Sequence, residues 1–549
     1  MAFTFDFDFH SYEAARRDFR WDLPDAYNIT ADCIQKHDQT ATALEQAYES
    51  GARERYSFRD LDDRSAAFAR ALESLGVERG DRVAVVSGQR PETLVTHLAC
   101  WRLGAVSVPI STLEGTEGLR YRLRDSDTRV AVVASGAVET VEAIRDDLTA
   151  LEHVVPVDER PFRASADRFR ELCESHPTSF PPVDTTVDTP AVVIYTSGTT
   201  GRPKGALHGH GVWLGSLPGF NMYFQGRTGA GTVFYTTSDW SWIAGLGNVV
   251  VPAWHYGRPA VGFETSGFDP ERALGVMAEF DVTNVYLPPT VVRMMRESDA
   301  SVAQDELAVE VVGCGGEAVT ADVHEWVESE LGATLNESYG QTEANVLVSN
   351  RGDWFEPRIG SMGKPVPGHE VAVVDPETGN RKPTGEVGQI AVKRSDDPMV
   401  FEGYLDAPEL TDATTLGDWH LTGDLARRDA DGYVWFEGRA DDVVVTSGYR
   451  VSPVEVERIL LEHEAVTQAH VTGAADPERG EILVAYLETP VAAPDDALRR
   501  DIREYARDHL AAYKYPRRIE FVAEHETTVA GKIDRSVAEN ESESGGHKD

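Results

Sequence analysis

Leu61, Phe68, Leu72 and Leu75 recur at helical spacing, which sets one apolar stripe on one face of a helix. After the turn pair Gly80-Asp81, the run Val83-Ala84-Val85-Val86 is short and continuously apolar, the pattern of a strand covered on both faces. Thr93 to Leu103 returns to helical spacing and Ala105 to Ile110 to strand. Val130-Ala131-Val132-Val133 is a further buried strand ahead of another helix. This alternation predicts α/β layering with crossover connections. Residues 176–190 carry four prolines and several threonines and read as a loop. It leads into Ala191-Val192-Val193-Ile194, another buried strand. Mixed elements continue to about Glu437. Pro453 to Leu461 is then helical, Ala465 to Thr472 strand-like and Leu498 to Leu510 helical. That is a small α+β unit of about 110 residues, enough to fold alone. The predicted organisation is a large, multi-subdomain α/β domain over residues 1–438 and a small α+β domain over 439–549. Residues 539–546 read as a disordered tail.

The chain has 549 residues, of which 41% are hydrophobic. That is too long for one core and apolar enough to be globular. Its net charge is -40, from 52 basic and 92 acidic residues. Such a surface repels phosphate backbones and anionic lipid, so neither nucleic acid nor membrane is an expected partner. The acidic residues are spread along the whole chain. This suits a salt-rich, halophilic setting, where the Debye length is about 3 Å at 1 M, and equally an ordinary acidic enzyme. Cys33, Cys100, Cys173 and Cys314 show no CxxC spacing, which argues against a disulfide framework or zinc site. The first residues lack a basic and apolar leader pattern, and no apolar run reaches the ~18 residues of a membrane span. The expectation is a soluble, cytoplasmic protein.

Chemistry concentrates first in Tyr195-Thr196-Ser197-Gly198-Thr199-Thr200-Gly201-Arg202-Pro203-Lys204-Gly205. Small residues let backbone N–H groups approach a phosphate, the hydroxyls add donors and Lys204 adds a movable charge. A Walker A loop is excluded, because Lys204 is followed by Gly205 instead of Ser or Thr. A solvent loop of turn formers remains the plainer reading of this stretch alone. A second motif, Asn336-Glu337-Ser338-Tyr339-Gly340-Gln341-Thr342-Glu343, offers an aromatic and alternating polar groups to an adenine. Glu343 supplies a hard carboxylate for Mg²⁺. In a third, Asp424 of Thr422-Gly423-Asp424 suits the hydroxyls of a ribose, and Arg439 suits the same sugar or its phosphate. Each has a bland alternative as a polar loop or turn.

The order of these residues resembles the adenylate-forming (AMP-binding) superfamily, in the acyl-CoA synthetase branch. The likeness is nearest to medium-chain acyl-CoA synthetases and covers nearly the whole chain beyond an N-terminal segment. It implies ATP, Mg²⁺ and coenzyme A, with Thr196, Lys204, Glu343 and Lys532 as catalytic residues. Lys532, in Ala530-Gly531-Lys532-Ile533, stands where the family has its adenylation lysine. The usual preceding Pro-Lys-Thr reads Glu526-Thr527-Thr528 here. The resemblance assigns nucleotide or CoA contacts to Ser197, Gly198, Thr199, Thr200, Gly316, Glu317, Ala318, Glu337, Ser338, Tyr339, Gly340, Gln341, Thr342, Asp424 and Arg439. Further such contacts fall on Ser447, Gly448, Tyr449, Arg450 and Tyr515. Asp441 matches the pivot about which a mobile small domain turns. Gly340 replaces the tryptophan that closes the acyl pocket in acetyl-CoA synthetases, and Trp242 resembles a tunnel residue. The implied reaction joins a short-to-medium-chain carboxylic acid to CoA through an acyl-adenylate, with release of AMP. Acetyl-CoA synthesis, a different acceptor for the adenylate, and a nucleotide-binding regulator without catalysis are the competing readings.

Overall fold

The stripe of Leu61, Phe68 and Leu72 becomes the buried face of helix Phe58–Ser74. Ser57 and Asp60 cap its start reciprocally and satisfy donors that the first turn leaves open. A computed structural model of the chain describes residues 3, 5–157, 168–196, 202–265, 267–298, 300–446, 449–476, 480–511 and 514–523. Two compact units emerge, Met1–Val371 with Val392–Asp418, and Ala372–Ala391 with Trp419–Asp549.

The first unit carries two large sheets. In one, strands run Gly403–Tyr404, Lys204–Gly209, Pro190–Thr196, Val106–Pro109, Arg82–Val86, Thr128–Val133 and His153–Pro156 across the sheet. Those from Pro190–Thr196 to His153–Pro156 are parallel. The apolar runs of the sequence are therefore its central strands, covered on both faces as continuous Val/Ala runs require. The helix expected over Thr93 to Leu103 spans Pro91–Leu103, with proline in its first turn and Gly104 closing it at φ 78°. The other sheet has nine strands. Its middle strands, from Thr334–Gln341 through Val311–Gly315, Asn284–Leu287, Phe234–Thr236 and Ala260–Glu264 to Thr42–Tyr48, are parallel. Antiparallel strands close both sides.

In the second unit, Trp419–Arg428 pairs antiparallel with Val434–Arg439. Residues 419–438 therefore group with the chain beyond them, whereas the sequence pattern draws its line after residue 438. Helix Pro453–Leu461 has the bounds the sequence predicts. The strand expected at Ala465 to Thr472 runs Gln468–Asp476 instead, because a turn from His463 to Val466 occupies its first residues. Val456, Leu460, Val471, Leu483 and Ile502 form the core there. Among the described residues no helix is long and apolar enough to cross a membrane.

Three buried histidines of the first unit make acid stability measurable. Burial lowers the pKa of His97 to about 3, of His208 to about 4 and of His210 to about 3. In the unfolded chain each titrates near 6.5, so below that pH the unfolded state binds more protons. Stability is then complete above about pH 6.5 and is lost as pH falls toward 4. Each group contributes a slope of up to about 1.4 kcal/mol per pH unit. Thermal midpoints at fixed ionic strength are expected to drop steeply between pH 6.5 and 5; a flat profile over that range contradicts neutral, buried rings.

Candidate active site

Thr196 and Lys204 are register partners at the turn end of a hairpin formed by Pro190–Thr196 and Lys204–Gly209, where the chain passes from one strand to the next. Side chains alternate along a strand, so Lys204, Ala206 and His208 share a face. Tyr404, on the adjoining edge strand, lies opposite the small Ala206. Its ring centroid is 5.4 Å from the Lys204 ammonium. Its hydroxyl donates to Glu343 Oε1 at 2.7 Å. His208 Nε2 lies 2.8 Å from the Thr342 carbonyl oxygen. Burial keeps that imidazole neutral, so Nε2–H is the donor. The backbone continues the docking, with Phe401 N–H donating to the Glu343 carbonyl and Leu405 N–H to that of Gly205. The Thr196–Lys204 hairpin and the Thr342-Glu343 turn, far apart in sequence, are thus one assembly.

The second motif lies at the carboxyl end of a parallel strand, where open α/β sheets bind ligands. Gly340 stands beside a bulge. A Cβ there would sit 1.8 Å from the Asn345 carbonyl oxygen. The glycine thus has a packing reason of its own, independent of acyl-pocket width. Ser338 is buried, with its hydroxyl donating to the Cys314 carbonyl. Glu337 is buried, its Oε2 has no hydrogen-bond partner among the described residues, and desolvation raises its pKa well above the usual carboxylate range. Tyr339, Gln341 and Thr342 are half-buried. On the neighbouring strand end, Gly316 adopts φ 95°, a left-handed conformation that favours glycine. Beside it, Glu317 accepts from Arg293 at 2.6 Å and from Thr290 at 2.7 Å, and Ala318 follows in the same loop.

Trp242 is half-buried and caps a short helix, Ile243–Gly245, which passes into the π-helical turn Leu246–Val250. Such turns cluster at functional sites. Above Gly313 and Gly315 the sheet face is occupied by Tyr223 and Tyr286. A Cβ on Gly313 would lie 2.8 Å from carbons of both rings, and one on Gly315 would lie 2.8 Å from the Tyr286 hydroxyl.

In the second unit Asp424 and Arg439 face each other across the hairpin. The guanidinium donates to Asp424 Oδ1 at 3.1 Å and, through Nε, to Asp441 Oδ1 at 3.0 Å. Partial burial disfavours the arginine charge, yet the two carboxylates raise its pKa above the usual value. The Thr422 hydroxyl holds this turn from both sides, donating to Ile390 O and accepting from Asp424 N–H. Tyr515 packs against the core of this unit, with the Arg517 guanidinium 4.8 Å from its ring centroid. Tyr449 and Arg450 lie on strand Tyr449–Val451. Ser197, Gly198, Thr199, Thr200, Ser447, Gly448 and Lys532 fall outside the described residues.

The AMP-binding enzyme model matches residues 31–405, and the AMP-binding enzyme C-terminal domain matches residues 455–532. The chain belongs to the AMP-binding enzyme family. Within this adenylate-forming superfamily it falls in the acyl-CoA synthetase branch, near the medium-chain enzymes, and is an acid–thiol ligase. It is 35% identical to the human mitochondrial acyl-coenzyme A synthetase ACSM5 over 89% of this chain and 84% of that protein. The mouse mitochondrial acyl-coenzyme A synthetase ACSM4 is 33% identical, over 94% and 90%. A solved structure of the anthranilate CoA ligase AuaEII with anthranoyl-AMP superposes with TM-score 0.84 at 29% identity, over 95% of this chain and 99% of that one. These relatives correct one expectation. ACSM5 and ACSM4, to which this AMP-binding enzyme is similar, are mitochondrial proteins, which overturns the cytoplasmic reading drawn from the missing leader pattern.

Sequence reasoning missed Tyr404 and His208 in this AMP-binding enzyme. Alternation from Lys204 places His208 on the lysine's face and was a usable signal. No local pattern around Phe401-Glu402-Gly403-Tyr404 announces its partner Glu343. Among the described residues, no group of three or more His, Cys, Asp or Glu side chains forms a cation cage. The single carboxylate of Glu343, with one oxygen engaged by Tyr404, nevertheless fits Mg²⁺. That ion uses one or two carboxylates beside substrate phosphates and waters.

Proposed function

We propose that this enzyme converts a short-to-medium-chain carboxylic acid to its CoA thioester in two steps. The acid's carboxylate attacks the α-phosphorus of ATP, forming a mixed anhydride with AMP and expelling pyrophosphate. The CoA thiolate then attacks the acyl carbon and AMP leaves. The observation that carries this reading is the assembly of Lys204, Tyr404 and Glu343, where cation and carboxylate meet the same tyrosine without an ion pair between them among the described residues. Lys204 and the Thr196 end of the hairpin would bind phosphate oxygens, and Glu343 would hold Mg²⁺, which offsets phosphate charge when bound. Asp424 and Arg439 would take the ribose and its phosphate. Lys532 would bring a cation to the α-phosphate, and rotation about Asp441 would exchange it for the thiol channel.

Tyr223 and Tyr286 favour a pocket of limited depth over Gly313 and Gly315. A screen of pyrophosphate release with acids of two to twelve carbons is expected to peak above acetate and below the longest acids. Tyr286→Leu is expected to move the optimum to longer acids. Each added methylene that finds apolar contact contributes about 0.8 kcal/mol, roughly fourfold in kcat/KM. With so acidic a chain, added salt is expected to lower the apparent KM for ATP by screening repulsion. Failure of every acid to release pyrophosphate at either salt sinks the reading; an unchanged profile in Tyr286→Leu sinks only the pocket floor.

A further inference from the structure

Lys204 and Glu343 carry opposite charges and meet the same side chain, yet no ion pair joins them among the described residues. A lysine and a glutamate this close to a shared neighbour have an evident alternative, which is to pair with each other. Such a pair would neutralise the group meant for phosphate oxygens and the group meant for a cation. We propose that Tyr404 is a positioning residue that acts as a spacer, giving each charge a neutral partner and so holding both available for the nucleotide. The inference rests on the ligase reading for what the two charges receive.

Three features support the role. The ring lies 5.4 Å from the Lys204 ammonium, within reach of a cation–π attraction, which stabilises the cation without cancelling it. The hydroxyl donates to Glu343 Oε1 at 2.7 Å, a neutral donor that satisfies one carboxylate oxygen without bringing an opposing charge to it. The tyrosine is itself buried and held, with its N–H donating to Thr411 Oγ1 at 2.9 Å and its strand paired to the hairpin through Ala206. Ala206 matters because a larger residue between Lys204 and His208 on that face would displace the ring.

The test is metal-free ATP binding, measured by calorimetry in chelator on the full chain, after each variant's melting curve is checked. Tyr404→Leu removes both neutral partners and is expected to weaken binding about tenfold, as Lys204 turns to Glu343. Adding Glu343→Gln to that variant is expected to restore most of the loss. Tyr404→Phe keeps the ring and should stay within about threefold of the parent. Glu343→Gln alone is the reference for the double variant, because losing that carboxylate also removes its own repulsion of the metal-free phosphates. Equal weakening by Tyr404→Leu in the parent and in the Glu343→Gln background overturns the spacer, since a purely structural tyrosine costs the same in both. A tenfold loss in Tyr404→Phe also overturns it, because the retained ring should by itself keep Lys204 from Glu343, and this arm stands even if Tyr404→Leu does not fold. The screen of acids is a separate measurement, so loss of the ligase reading and loss of the spacer are distinguishable.

Discussion

Lys532→Ala is expected to cut acid-dependent pyrophosphate release by about 10²–10³-fold, the usual cost of removing one pre-positioned donor from a charge-accumulating centre. Thioester formation from supplied acyl-adenylate and CoA should survive nearly intact. The asymmetry arises from where charge develops. In the first step negative charge gathers on the α-phosphate and its leaving group, so a nearby cation lowers that barrier selectively. In the second step the thiolate attacks an already activated acyl carbon and AMP departs. The two half-reactions are measured separately, by pyrophosphate release and by thioester formation from synthetic adenylate. Equal loss of both would remove the adenylation role from Lys532 and point to a shared binding or folding defect.

Gly340→Ala is the second large expected effect, and its origin is steric. The three atoms nearest a Cβ at this position all belong to backbone, at 1.8 Å for Asn345 O, 2.5 Å for Asn345 C and 2.9 Å for Val346 Cα. No rotamer change relieves such contacts, so the strand pair itself must open. Asn345 already holds φ 39° to close this turn, which leaves little freedom to shift. A cost of about 4 kcal/mol or more is expected, lowering the melting midpoint by on the order of 10 °C. Pyrophosphate release should fall with it, because Thr342 and Glu343 ride on the same turn. Gly316→Ala is the control. That glycine adopts φ 95° but faces open space, so only the left-handed backbone penalty of about 1–2 kcal/mol applies. If Gly340→Ala melts within a degree or two of the parent, the close approach is not real. The same clash means that Gly340→Trp reports backbone distortion together with any narrowing of the acyl pocket. Tyr286→Leu is therefore the cleaner probe of chain length.

Much of the fold is legible in the chain itself. Val83 to Val86, Val130 to Val133 and Ala191 to Ile194 are strands as expected, because burial on both faces demands an uninterrupted apolar run. Elements at a turn are less legible. The strand after His463 starts three residues later than its apolar pattern, since hydrophobicity does not reveal where a turn ends. Glu317 reads in sequence only as a nucleotide neighbour, yet it has a second commitment to Arg293 and Thr290.

By itself the sequence determined the alternation of strands and helices, the order of the phosphate, Tyr339–Glu343, Asp424 and Arg439 motifs, and the membership of an adenylate-forming family. Those properties are carried by residues near one another in the chain. The tertiary structure alone decided that Tyr404 meets both Lys204 and Glu343, that Tyr223 and Tyr286 fill the space over Gly313 and Gly315, and that residues 419–438 belong with the second unit. Each of these depends on which strands lie side by side. Strand order is set by the burial of whole sheets, a sum over distant contacts that no local window of residues contains.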